Sequence, residues 1–160
     1  MSRKGKTAIV AVGGNSLIID EEHQSIPDQY KAAAISSRYV ADMVEAGVTV
    51  ILTHGNGPQV GFILRRSGIA KGVVPEVPVD YADADTQGAI GYMFQRALYN
   101  EFQRRGLKRQ VVAVVTQVLV DRNGPALSNP TKPIGGYMEQ DVAQSLATNF
   151  GWVVTEDAGR

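Results

Sequence analysis

The sequence contains no cysteine, which excludes a disulfide framework, a thiolate nucleophile and zinc–thiolate coordination. It also lacks an excess of either charge, since 16 Lys and Arg face 16 Asp and Glu. A domain that holds nucleic-acid phosphates carries a basic surplus, so that class of partner is not expected. No apolar run reaches membrane-spanning length. The basic start runs into TAIVAV, which breaks at Gly13-Gly14 with no small-residue cleavage site behind it, so it reads as a first strand and not as a signal peptide. No GxxxxGK[ST] spacing occurs, which excludes a P-loop.

What is present is an ordinary globular chain of 160 residues, 44% apolar and 20% charged, enough for one domain with a real core. A cytoplasmic enzyme or small-molecule-binding domain is the expectation. Thr7 to Val12 and Val48 to Leu52 are short, β-branched runs that suit buried strands. Between them, Ser25 to Ala46 carries a helical stripe of Ala32, Ile35, Tyr39 and Met43, with Val40 and Val44 beside it, a cap-like Ser25 and a stop at Gly47. Residues 86–105 place Ile90, Met93, Phe94, Ala97, Leu98 and Phe102 on one helical face and leave Arg96, Glu101, Gln103 and Arg104 largely on the other. QVVAVVTQVLV, residues 110–120, predicts a third strand, Glu139 to Asn149 a short helix, and Trp152 to Thr155 a fourth strand. Strands alternating with helices imply an α/β fold: an open, mostly parallel sheet with helices over both faces.

Two glycine clusters follow the first two strands: Gly13-Gly14-Asn15 and the stretch THGNGPQVG, residues 53–61. In parallel sheets, ligands collect beyond the carboxyl ends of the strands. Glycine lets backbone N–H groups approach an oxyanion with no Cβ in the way, and a following helix adds unpaired amides and the positive end of its dipole. One such turn more often serves packing alone, but two on neighbouring strands favour an anion site. GNGPQVG spaces its glycines one residue too far for the GxGxxG dinucleotide fingerprint, and no clear ribose-binding acid ends a following strand. A nicotinamide dehydrogenase is therefore only the runner-up.

VAVGGNSL (10–17), THGNGPQVG (53–61), TQGAIGYM (86–93), VVTQVLVD (114–121), NPTKPIG (129–135) and EDAGR (156–160) stand in the order seen in carbamate kinases, which the chain resembles from Thr7 to Arg160. The resemblance implies the αβα sandwich of the amino-acid kinase superfamily and reversible phosphoryl transfer between carbamoyl phosphate and MgADP, giving ATP and carbamate. It implies Mg2+ with ATP or ADP as cofactor, no further metal site, and a homodimer. By motif, Gly13, Gly14, Asn15, Gly55, Asn56, Gly57 and Gln59 would bind the substrate, with Gly14, Asn15 and Lys132 in the catalytic roles. Many superfamily members carry a lysine two residues before the paired glycines; Ala11 stands there, as in carbamate kinases. Lys132, between Pro130 and Pro133, would supply that charge, because phosphoryl transfer relies on positioning and electrostatics.

Two departures qualify the resemblance. Where the family commonly has a Cys-Gly-Ala-Met-like stretch, this chain has Ala82-Asp83-Ala84-Asp85. The acids are expected to cap the following helix; facing the phosphate site instead, they would repel substrate or recruit a metal, and a different carboxylate substrate would follow. The family also continues past EDAGR into a half that holds the nucleotide. Residues 1–160 are therefore expected to be an amino-terminal, apparently truncated half, with 121–160 part of a protruding lid, and to be inactive alone. A non-catalytic acyl-phosphate-binding or dimerisation module is the alternative. His54 is expected to anchor backbone, His23 to be solvated, Glu156 and Asp157 to form salt bridges, and Met43, Met93, Phe94 and Trp152 to be core.

Overall fold

The structure, a computed structural model, describes residues 5–134 and 138–156. The chain divides into two compact units: Met1–Asn56 with Asp83–Val115, and Gly57–Ala82 with Thr116–Arg160.

The first unit is built on a βαβ crossover. Strand β1 (Thr7–Val12) and strand β2 (Thr49–His54) pair in parallel, Thr7 opposite Thr49 and Val12 opposite His54, with helix α1 (Ile26–Glu45) between them. Ser25 caps α1 by accepting the Asp28 N–H, and Pro27 sits in the first turn, where its missing N–H costs nothing. The far end closes on Gly47, whose φ of 87° only glycine adopts cheaply; its N–H reaches the Val44 carbonyl, and Val48 N–H that of Met43. Helix α3 (Val79–Arg105) ends in the same way on Gly106, with φ 69°.

The predicted apolar face of α3 is confirmed residue by residue: Ile90, Met93, Phe94, Ala97, Leu98 and Phe102 are all buried. Ile90, Met93 and Phe94 cluster with Ala32 and Ala33 of α1, and Leu98 and Phe102 with its Val40 and Ala41, over the inward strand residues Val10, Val12, Val50 and Leu52. The stripe expected on α1 is rotated. Ile35 and Tyr39 are exposed, whereas Gln29, Ala33, Ser37 and Ala41 are buried. Small side chains let a helix lie close to its neighbours, and Ser37 satisfies its hydroxyl on the Ala33 carbonyl at 2.8 Å.

Three further expectations are corrected. Among the described residues the sheet has two strands, and residues 110–120 and 152–155 are in neither. A strand exists only through its ladder; Val111 instead accepts from Gln95 Nε2 at 2.8 Å and donates its N–H to Tyr99 Oη at 3.3 Å, both on α3, and Leu119 and Val153 are fully exposed. The open, parallel α/β sheet that was expected is present, and Thr7, Ile9, Ala11, Thr49, Ile51 and Thr53 form an exposed face of it. Glu101 faces inward, because Arg104 and Arg105 neutralise it there.

The second unit contains α2 (Gly57–Ile69), the single turn α4 (Pro125–Ser128) and α5 (Gln140–Phe150). Gln59 and Val60 are buried, and the Trp152 ring, half-buried, lies over Gly68 of α2. Ser67 Oγ accepts the Val77 N–H at 2.8 Å.

Candidate functional site

The site grows from the carboxyl ends of the paired strands. β1 runs out at Val12 and β2 at His54, which are register partners, so the two glycine turns leave the sheet side by side. The ladder continues one residue further, with the Gly55 N–H donating to the Val12 carbonyl at 2.9 Å. Gly14 and Gly55 then meet backbone to backbone. A Cβ on Gly14 would lie 3.0 Å from Asn56 N and 3.1 Å from Gly55 O, and one on Gly55 would lie 3.0 Å from Gly14 N. Both glycines are thus required by close approach and not by positive φ.

The first turn is stiffened locally. Gly14–Leu17 forms a 3-10 turn, and the Gly13 carbonyl accepts from both Ser16 N at 3.0 Å and Ser16 Oγ at 2.6 Å. Gly14 and Leu17 are buried, whereas Gly13, Asn15 and Gly55 are open to solvent. At the second turn the Asn56 N–H meets no acceptor among the described residues. Gly57 opens α2, where a first-turn amide has no acceptor inside the helix. Exposed backbone at two adjacent chain reversals is an arrangement that can meet a small oxyanion.

Asn56 is half-buried and held by its side chain. Its Nδ2 lies 2.6 Å from Asp83 Oδ1 and 2.8 Å from Thr86 Oγ1. Asp83 Oδ2 also accepts from Gln87 Nε2 at 2.7 Å, and Thr86 Oγ1 donates to the Asp83 carbonyl at 2.9 Å. The capping role expected of Asp83 and Asp85 is corrected: α3 begins at Val79, with Asp80 as its first-turn acid, so Asp83 lies inside the helix and Asp85 is exposed. The hydrogen bond from Asn56 to Asp83 joins residues far apart in sequence, and only the mismatch with the Cys-Gly-Ala-Met stretch hinted at it.

Gly13, Gly14, Asn15, Gly55 and Asn56 come together in the first unit. Gly57, Gln59 and Lys132 belong to the second, where Gln59 is buried and Lys132 exposed. His54 Nδ1 donates to the Gly55 carbonyl at 3.3 Å, which bears out the anchoring role. His23 pairs with Asp20 at 2.7 Å on the surface. Gly135 of NPTKPIG and Asp157 lie outside the described residues. No helix among those residues is long and apolar enough to cross a membrane.

Comparison with known proteins bears on this geometry. No family model matches the chain. It is 42% identical over 158 residues to the carbamate kinase of Pyrococcus furiosus, covering 98% of this chain and 50% of that protein. It is 46% identical over 155 residues to the carbamate kinase-like protein YahI of Escherichia coli K12, covering 95% of this chain and 49% of that one. A solved carbamate kinase from Giardia lamblia, bound to citric acid, superposes with a TM-score of 0.88 at 41% identity, over 98% of this chain and 51% of that one. The chain spans about half the length of the curated relatives it matches. In sequence and in fold it is therefore a relative of the carbamate kinases, corresponding to the amino-terminal half of that family's members.

Proposed function

We propose that this chain supplies the acyl-phosphate-binding half of a carbamate kinase-type phosphotransferase, which moves a phosphoryl group reversibly between carbamoyl phosphate and MgADP to give ATP and carbamate. The observation that carries the reading is the backbone contact of Gly14 with Gly55 at the ends of β1 and β2. Side chains there would press the two turns apart, and their absence lets the turns lie side by side with the amides of Gly13, Asn15 and Asn56 at hand to receive a phosphoryl group. Carbamate is already anionic, so the reaction asks for no general base, and the fixed dipoles of the two turns suit its charge. In this reading Gly14 and Asn15 hold the transferring group, Gln59 supports the second turn, and Lys132 adds the positive charge absent at Ala11. Residues 121–160 serve as part of a closing lid.

Among the described residues no three His, Asp or Glu side chains gather as a metal centre. Mg2+ enters this reading as the ion carried by the phosphates of ADP or ATP. A homodimer and a cytoplasmic location complete the proposal. Because the matched relatives are about twice as long, residues 1–160 alone are expected to bind the acyl phosphate without turning it over.

Titration calorimetry of the purified chain tests this. Binding of carbamoyl phosphate without binding of MgADP supports the proposed half-site, whereas no binding of carbamoyl phosphate would sink it. One observation favours a second reading: Asp83 brings a carboxylate into the Asn56 network. A related kinase acting on another carboxylate would show tighter binding of that acyl phosphate than of carbamoyl phosphate.

A further inference from the structure

The four-residue network behind the second turn fixes which end of the Asn56 amide is free. A carboxylate only accepts hydrogen bonds, so the side-chain atom 2.6 Å from Asp83 Oδ1 has to be the NH2 nitrogen. The Thr86 hydroxyl commits its proton to the Asp83 carbonyl at 2.9 Å, so it too accepts from Asn56, at 2.8 Å. Both Asn56 N–H groups are consumed, and the orientation follows from the partners' chemistry without any choice between oxygen and nitrogen. The single hydrogen-bonding atom of this side chain left over is Oδ1, an acceptor. Gln87 Nε2 on Asp83 Oδ2, at 2.7 Å, holds the carboxylate from its other side.

We propose that Asp83 is a positioning residue that turns the Asn56 amide into an acceptor beside the glycine turns, and thereby selects an acyl phosphate bearing an N–H on its acyl carbon. The proposal rests on the carbamoyl-phosphate reading and adds the group that sets its selectivity. With both N–H groups tied to α3, Asn56 offers a phosphoryl oxygen nothing from its side chain; the oxyanion is left to the backbone amides. Oδ1 gains only from a ligand that brings a donor. Carbamoyl phosphate carries an NH2 there, acetyl phosphate a methyl group, and inorganic phosphate no acyl group at all. A site acceptor left without its donor discriminates strongly, because its desolvation goes uncompensated.

The test compares the wild-type chain with Asp83→Asn and Thr86→Val, titrating carbamoyl phosphate, acetyl phosphate and inorganic phosphate. The Asn56 side-chain amide signals are followed by 1H–15N NMR. Asp83→Asn keeps the size but lets the clamp face either way; Thr86→Val removes the other acceptor and serves if the first variant does not fold. The wild type is expected to favour carbamoyl over acetyl phosphate by about tenfold or more. In the variants that ratio should fall toward one while inorganic phosphate binds at least as well, and the Asn56 NH2 signals should shift. An unchanged ratio in a folded variant, or a wild-type ratio near one, overturns the assignment while leaving the carbamoyl-phosphate reading standing. Failure of the wild type to bind any of the three removes both.

Discussion

Gly14 and Gly55 face each other so closely that a methyl group on either would press on the other's backbone, 3.0 Å from its nearest atom. The contact ties the end of β1 to the end of β2 beyond their last register pair, and it is made of main chain on both sides. Backbone cannot swing aside as a long side chain does, so Gly14→Ala and Gly55→Ala should each destabilise by ~1–3 kcal/mol, the usual cost of overpacking. Urea denaturation followed by circular dichroism measures this. Gly13→Ala is the control, because a Cβ there meets nothing within 4 Å, and it should be nearly neutral. Equal losses at all three positions would contradict the packing account.

Ile90 is 1% exposed and shares one core cluster with Phe94 of its own helix and Ala33 of α1. Truncation removes apolar contact and leaves a cavity that the small residues of α1 cannot fill. Ile90→Ala should cost about 2–5 kcal/mol. Ile35→Ala, on the exposed side of α1, should cost under about 0.5 kcal/mol, although the helical stripe had put it in the core. Chemical denaturation of the pair decides whether the rotated face of α1 is right.

Glu101 is buried with two arginines on it, Arg104 Nη2 at 2.6 Å and Arg105 Nε at 2.7 Å. Hydrogen bonds from Arg104, then from Arg105, hold its carboxyl well below the ordinary 4.5, at about 2. A carboxylate whose folded value is depressed stabilises fully above its unfolded value and loses that contribution as pH falls through the folded one. Stability should therefore decline as pH drops below about 4.5 and keep declining toward about 2. Thermal melts from pH 6 to pH 2 should show this slope flattened in Glu101→Gln. An identical slope in the variant would assign the acid sensitivity to other carboxylates.

Lys132 is the proposed source of positive charge for the phosphoryl group. Lys132→Ala should weaken carbamoyl phosphate binding by roughly tenfold or more, the scale of a charge-assisted hydrogen bond. Lys132→Arg should recover part of it. The wild-type affinity should fall with added salt more steeply than that of the alanine variant. Calorimetry at two ionic strengths reads both effects, and indifference to the alanine change would remove Lys132 from the site.

The sequence alone determined the elements whose cause is local. Ser25, Gly47 and Gly106 bound their helices through capping and positive φ, and the spacing of Ile90 through Phe102 named the core face of α3 correctly. It also placed the glycine turns after two neighbouring strands, because glycine clusters and β-branched runs are both short-range signals. Tertiary structure decided whatever needs a partner from elsewhere in the chain. Residues 110–120 have the composition of a strand, yet a strand is completed only by a ladder, and α3 took Val111's hydrogen bonds instead. Helical phase points Glu101 outward, and its burial depends on the two arginines that pair with it. The Asn56–Asp83 bond, across 27 positions, left no trace in the sequence beyond the unusual acid at Asp83, since its geometry exists only once the turn after β2 packs against α3.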